Sequence, residues 1–317
     1  MILTITPDPV LDKILFIDEW IPGQLMHSEN NTTSVGGKGL DASVALRHLG
    51  IETMGLCFLA GSIGAELHHL AMAYGIDMQP IWVGGETRTA HIIVESKQGR
   101  HSHLFSGRLT LGEDHLDNLL AVLREQLKKA TWLIGGGIFP PCVPPSFYGM
   151  ITHEAHQAGV PVLLDAHSQF IKQAFSAQPD VVKMNWQEFE MTFASSFGTL
   201  IELAHAAGEI YKKLALNALV ITCGPKGLLA FTPQGAFHAQ PPEMKVVNAT
   251  GAGDAASAAL AWRLSLGNNW PDALKWAAAA SAATVLTEGT ADLHSSAVDT
   301  ILPQVSLQNA LEANGGA

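Results

Sequence analysis

Residues 180–224 carry the pattern that decides the fold. They open on "DVVKMN" (180–185), pass through "IELAHAAGEIYKKLA" (201–215) and close on "NALVITCG" (217–224). The outer pieces are short, nearly continuous apolar runs, the mark of strands buried on both faces, and the middle piece has the spacing of an amphipathic helix. Toward the N-terminus, "TWLIGGG" (131–137) and "VPVLLDA" (160–166) repeat the strand form. From about residue 110 the chain therefore reads as successive βαβ units on a mainly parallel sheet. Beyond it, "LLAFTPQGAFHAQ" (228–240) reads as a hairpin about "TPQG", and "KWAAAASAATV" (275–285) as a tightly packed core helix. The first third differs. "DKILFIDEW" (12–20), "HSENNTTS" (27–34), "QPIWVGG" (79–85), "TRTAHIIVES" (87–96) and "HSHLFSG" (101–107) alternate polar and apolar residues. They are expected to form a small sheet with one wet face, covering the site of the larger unit.

Composition narrows the function. The chain has 317 residues, 47% of them hydrophobic, enough for a substantial α/β core. A net charge of −11 with only 18 Lys plus Arg and no basic run argues against nucleic acid or an anionic membrane as partner. Cys57, Cys142 and Cys223 are isolated and odd in number, so neither a disulfide framework nor a CxxC metal site is indicated. With no signal-like N-terminus or long apolar run, a cytoplasmic location is the expectation.

Four stretches carry chemistry. In "VVNATGAGDAASAALAW" (246–262), Gly251-Ala252-Gly253 leave backbone N–H groups open at a helix start, an anion site. Asp254 beside it would be repelled by phosphate, which suggests that it takes a proton from whatever attacks the phosphate. A capping acid at a tight helix start is the plainer alternative. In "SVGGKGLDASVALRHLG" (34–50), Ala42, Ala45, Leu46 and Leu49 form a buried stripe, which leaves Lys38 and Asp41 at an exposed N-terminal end. The stretch is neither a Walker A loop nor a full GxGxxG. In "KMNWQEFE" (183–190), Asn185 and Glu188 share a helical face and suit a Mg²⁺ ion that keeps most of its waters, or else serve as a cap and a solvated acid. In "TPDPVLDK" (6–13), Asp8 and Asp12 follow the first strand, as in an ordinary Asp-Pro turn.

Taken together and in this order, the four resemble the PfkB (ribokinase-like) family of carbohydrate kinases, in its phosphosugar branch of 1-phosphofructokinase- and tagatose-6-phosphate kinase-like enzymes. The resemblance covers nearly the whole chain. It implies a ribokinase-like three-layer αβα sandwich spanning 1–317 as one kinase domain, with a β-sheet lid from about 10–35 and 78–108. It also implies ATP and Mg²⁺ as cofactors and a sugar or sugar phosphate as partner. Residue by residue, it implies that Asp254 is the catalytic base and that Gly251, Ala252 and Gly253 form the anion hole. Asp12, Gly37 and Asp41 would face the sugar, while Lys38 and Arg88 hold the phosphate already on it. Asn185 and Glu188 would organise Mg²⁺. Lys183, Asn185, Thr222, Gly224 and Gly227 would lie along the nucleotide, with Gly289 at the end of the helix flanking adenine.

The chain departs from the branch at several points. Asp41 stands where an asparagine is usual, Ile138 replaces a serine, no lid arginine is evident around Ser102, and Asn248 replaces an aspartate. The leading expectation is thus an ATP-dependent kinase of a ketohexose monophosphate. The alternatives are a kinase of an unphosphorylated sugar or nucleoside and a catalytically silent sugar-binding regulator; nicotinamide chemistry is remote. The lid strands have edges that a second subunit would cover, giving a homodimer.

Overall fold

The computed structural model describes residues 1–28 and 30–312. Numbered along the chain, its strands are β1 (Ile2–Thr6), β2 (Val10–Ile17), β3 (Asn30–Gly36), β4 (Thr53–Leu59), β5 (Asp77–Trp82), β6 (Gly84–Glu95), β7 (Arg100–Thr110), β8 (Trp132–Gly136), β9 (Val162–Asp165), β10 (Val181–Asn185), β11 (Leu219–Thr222), β12 (Leu228–Thr232), β13 (Gly235–Gln240) and β14 (Ser306–Asn309). Ten make a large sheet in the order β14-β13-β12-β11-β10-β9-β8-β1-β4-β5, and β3-β2-β6-β7 make a smaller one. Glu29, within the expected strand 27–34, lies outside the described residues.

The apolar runs of the parallel strands explain the three layers. Successive residues of a strand point to opposite faces. Leu3, Leu133, Leu164 and Val182 accordingly join one apolar cluster, packed by helices Glu113–Leu127, Phe147–Gln157, Trp186–Phe193 and Leu200–Lys213. Ile2, Ile134, Leu163 and Val181 join another, under helices Lys38–His48, Ala252–Ser265 and Trp270–Thr284. The alanine-rich 275–285 stretch lies in this second layer, and the "TPQG" hairpin is the antiparallel β12–β13 pair.

Strand order reverses between β1 and β8. From β1 the chain builds outward to β4 and β5, and from β8 it builds the other way to β9, β10 and β11, all parallel. At such a point the carboxyl ends of the strands splay and open a crevice where ligands bind. The small sheet stands over the end of β1, since only Pro7, Asp8 and Pro9 separate β1 from β2.

Two expectations are corrected here. In "QPIWVGG", residues 79–82 are not part of the small sheet, because β5 pairs with β4 at the edge of the large one, and only Gly84 and Gly85 join the small sheet, as the start of β6. An edge strand exposes one side and so has the same polar alternation as a lid strand. The start of helix Lys38–His48 is not exposed either: Gly39 through Leu46 are all buried, Asp41 included at 6% exposure. A Cβ at Gly39 would fall 2.5 Å from the Ile5 carbonyl oxygen, so the glycine lets the helix start sink against β1.

Candidate active site

Two cavities meet above the crevice. The larger, about 740 Å³, is lined by Asp165, Lys183, Asn185, Glu188, Thr222, Gly224, Gly227 and the Gly251–Asp254 turn, with Ala278, Ser281, Ala282 and Val285 on its apolar side. The smaller, about 480 Å³, is lined by Asp8, Asp12, Gly37, Asp41, Arg88, His103, Phe105, Ile138 and Thr250. Lys38 lines both. Gly289 is among the lining residues of neither; it packs on Asp292, and the wall expected of it comes from the alanine-rich helix.

The centre is an ion network. Lys38 Nζ donates to Asp165 Oδ1 and to Glu188 Oε1, each at 2.7 Å, and Lys183 Nζ donates to Asp165 Oδ2 at 2.6 Å. Lys38 reaches this place across β8, where Gly136 leaves room: a Cβ there would lie 2.7 Å from that of Lys38. Burial disfavours the Lys38 ammonium, but Asp165, Glu188 and Asp254 more than reverse this and hold its pKa above the ordinary value. Asp165 is 1% exposed; burial raises its pKa, yet Lys183 and Lys38 prevail and hold it well below the usual carboxylate range. Sequence reasoning missed Asp165. An acid ending a fully apolar strand in a parallel sheet was the available signal, since such ends line the crevice.

Asp254 sits in the first turn of helix Ala252–Ser265, whose N-cap Gly251 has φ 80°. A Cβ on Gly251 would collide with the backbone of Ala291, so the turn is tight against the 287–292 loop. Burial, then Asp165, push Asp254 up to about 7 against the pull of Lys183 and Lys38. The Ala252 amide makes a long bond, 3.3 Å, to the Ala249 carbonyl.

Asn185 and Glu188 form a capping box for helix Trp186–Phe193. Glu188 N donates to Asn185 Oδ1 at 2.8 Å, and Asn185 N donates to Glu188 Oε2 at 2.9 Å. With Glu188 Oε1 also held by Lys38, every one of these oxygens already has a protein donor. They suit Mg²⁺ only through the ion's own waters, and among the described residues no group of three or more His, Cys, Asp or Glu is arranged to hold a metal directly.

In the smaller cavity Asp12, 4% exposed, accepts from Thr290 Oγ1 at 2.8 Å, and burial pushes it up to about 7 against Thr290 and Arg88. Arg88 lies 3.1 Å from Asp8 Oδ2 through Nε, donates to the Asp8 carbonyl and stacks over Phe105 at 5.5 Å. Lys38 and Arg88 both line the smaller cavity, and each already has its own carboxylate partners, Asp165 and Glu188 for Lys38 and Asp8 for Arg88. Of Arg100, His101, His103 and Arg108, the residues near Ser102 where no lid arginine is evident, Arg100 is taken by Glu95 in two 2.7 Å bonds, and His103 is the one that lines the cavity.

The chain is 25% identical over 309 residues to the 1-phosphofructokinase of Bacillus subtilis strain 168, covering 97% of this chain and 99% of that protein. It is 26% identical over 294 residues to the D-tagatose-1-phosphate kinase of Bacillus licheniformis, covering 92% and 95%. Escherichia coli phosphofructokinase-2, solved in complex with substrates and products, superimposes with a TM-score of 0.85 at 21% identity, covering 95% of this chain and 98% of that one. The pfkB family carbohydrate kinase model matches residues 9–296, and with the two-cavity crevice and the Gly251–Asp254 turn this places the chain in the PfkB family of carbohydrate kinases.

Proposed function

We propose that the protein transfers the γ-phosphoryl group of ATP to a hydroxyl of a phosphosugar, most simply a ketohexose monophosphate. The observation that carries the reading is the position of Asp254, following an anion-binding turn in the cavity wall where Lys38 joins the two chambers. ATP occupies the larger cavity, with its adenine toward Ala278, Ala282 and Val285, and the sugar occupies the smaller. With a pKa of about 7, Asp254 is poised to take the proton of the attacking hydroxyl. Lys38 and Lys183 supply positive charge beside the transferring group, and the glycine turn and helix N-terminus add their partial charge. Mg²⁺, when bound with ATP, would neutralise phosphate charge; Glu188 and Asn185 face it through water. The small sheet excludes water that would otherwise take the phosphoryl group. Each relative is named for a phosphosugar, which supports the substrate class. A coupled ADP-release assay over fructose 1-phosphate, tagatose 6-phosphate, fructose 6-phosphate and their dephosphorylated forms tests it. In that assay Asp254→Asn lowers kcat by about 10²-fold or more. Near-normal turnover of the folded variant removes Asp254 from this role.

A second reading, a kinase of an unphosphorylated sugar or nucleoside, draws on one observation: Arg88 and Lys38 are both already paired with carboxylates. The same assay decides, by which form of the sugar has the higher kcat/KM. A silent binder is disfavoured, because it has no use for Asp254.

We further place the enzyme in the cytoplasm, where ATP is available; no helix among the described residues is long and apolar enough to cross a membrane. We also infer a homodimer through the small sheet. Its β7 edge exposes Leu104 at 67% and Phe105 at 53%. A related E. coli phosphofructokinase-2 is described as tetrameric in its inhibited form. Sedimentation of wild type and Leu104→Asp tests this, with a shift to monomer in the variant expected.

A further inference from the structure

Thr290 carries a buried hydroxyl that the reaction above does not use. It sits on the 287–292 loop, and its Oγ1 donates to Asp12 Oδ2 at 2.8 Å. The two residues are 278 positions apart and belong to different parts of the molecule. Asp12 lies on β2 of the small sheet, whereas the loop follows helix Trp270–Thr284 of the large unit. The carboxylate is confined on a second side as well. A Cβ at Gly36, the last residue of β3, would fall 2.7–2.8 Å from the carboxyl carbon and both oxygens of Asp12, so the group lies flat against the glycine. With Oδ2 held by Thr290, Oδ1 is the oxygen left for a ligand in the cavity that Asp12 lines. The loop that carries Thr290 is in turn fixed to the glycine turn. Buried Asn248 donates from Nδ2 to the Glu288 carbonyl at 2.9 Å and accepts from the Thr250 amide at 3.0 Å through Oδ1. On the other side of Thr290, the Ala291 amide donates to the Thr250 carbonyl at 3.2 Å. Thr287 Oγ1 closes the loop on itself through the Asp292 carbonyl at 2.9 Å.

We propose that Thr290 is a positioning residue of the transfer reaction: it aims the Asp12 carboxylate from the large unit, so that the sugar is set against Asp254 by the 287–292 loop and not by the cover. The assignment rests on the smaller cavity being the sugar site. An acid held only by a strand of the cover would shift with every movement of that cover, and a shift of an ångström between reacting groups is costly. Tied to the loop beside the glycine turn, Asp12 instead keeps a fixed relation to the residue that takes the proton. The same bond favours the charged form of the acceptor. Thr290 and, more weakly, Arg88 of β6 draw the Asp12 carboxyl down against burial, while Asp41 of helix Lys38–His48 is the neighbouring acid.

The test compares wild type with Thr290→Val, which keeps the shape and removes the donor, and Thr290→Ser, which keeps the donor. Thr290→Val is expected to lower kcat/KM for fructose 1-phosphate about tenfold or more, the effect of losing a hydrogen bond to a charged group. Its affinity for ATP, measured without sugar, is expected to stay at the wild-type value. Removing the donor raises the Asp12 pKa, so sugar affinity, lost as pH falls through that pKa, is expected to fail at a higher pH in Thr290→Val than in wild type. Thr290→Ser is expected to restore both properties. In an Asp12→Ala background nothing is left to aim, and there Thr290→Val is expected to change sugar affinity by no more than about twofold. An unaltered kcat/KM in Thr290→Val, equal losses of sugar and ATP affinity, no recovery in Thr290→Ser, or the same loss with and without Asp12 overturns the assignment. If wild type binds fructose and not fructose 1-phosphate, the phosphosugar reading fails, and the same series with fructose still decides Thr290. A ligand-free check uses enzyme labelled with ¹³C at the aspartate side-chain carboxyls, the Asp12 resonance being assigned by its loss in Asp12→Ala. Its titration midpoint is expected to move up in Thr290→Val and back in Thr290→Ser, and an unmoved midpoint sinks the proposal whatever the substrate.

Discussion

At the residue scale the junction is a matter of charge count. Lys38 and Lys183 face Asp165, Glu188 and Asp254, so there are two cations for three carboxylates, and the one left over is Asp254. That surplus, in a buried setting, explains why Asp165 is held ionised while Asp254 is lifted into the range of a general base. With its ammonium held by Asp165 and Glu188, Lys38 is proposed to serve the transferring group and not the far end of the sugar. Lys38→Met is expected to cut kcat about tenfold or more, the effect of losing a charge-assisted contact of roughly 1.5–3 kcal/mol, and to move the sugar KM much less. A raised KM with kcat intact would return Lys38 to the sugar's own phosphate. The sequence made the glycine turn and Asp254 legible because their chemistry is local. It hid Asp165, whose partners Lys38 and Ser257 lie 127 and 92 positions away, and it hid the direction of Lys38, which depends on the space left by Gly136.

At the scale of elements, helix Trp186–Phe193 carries two roles on one turn. The reciprocal Asn185–Glu188 box caps it, and the same Glu188 anchors Lys38. The two roles separate by mutation. Asn185→Ala is expected to lower unfolding stability by about 1 kcal/mol, the ordinary worth of an N-cap, as read from denaturant midpoints. Glu188→Gln keeps the acceptor oxygen but not the charge, and is expected to raise the Mg²⁺ concentration for half-maximal rate. Superimposable Mg²⁺ titrations would confine Glu188 to the cap and the Lys38 pair. The strands β8 to β11 were readable because they are buried on both faces and so nearly continuous in apolar residues, with polar ones such as Asp165, Lys183 and Asn185 at or near their carboxyl ends. β5 was not, since a strand at a sheet edge and a strand in a lid meet solvent in the same way.

At the scale of the whole molecule, the raised acids link folding to pH. The folded pKa of Asp254 is about 7 against an unfolded value of 3.8, so between about pH 4 and 7 the folded chain holds more protons, and stability falls as pH rises through that window. Asp12 acts in the same sense, whereas Asp165, with its depressed pKa, contributes stability that is lost as pH falls below about 4. The ligand-free enzyme is expected to melt highest in mildly acidic buffer. Asp254→Asn is expected to raise the melting midpoint at pH 8 by roughly 1–2 °C, the size of an effect near 1 kcal/mol in a chain of this length, while removing activity. A variant that melts lower at pH 8 and equally at pH 5 would contradict this. The joint at Pro7–Pro9 has a mechanical side as well. Both the carbonyl and the carboxylate of Asp8 are gripped by Arg88, so the strand entering the small sheet from β1 is braced to its parallel neighbour β6 at the very base. Arg88 is then a strut as much as a ligand. If it is cut, the cover should swing more freely, and the enzyme should begin to waste nucleotide. For Arg88→Met the ratio of ADP formed to sugar phosphorylated is expected to rise above one, whereas a residue that only grips substrate would slow both products together and leave that ratio unchanged.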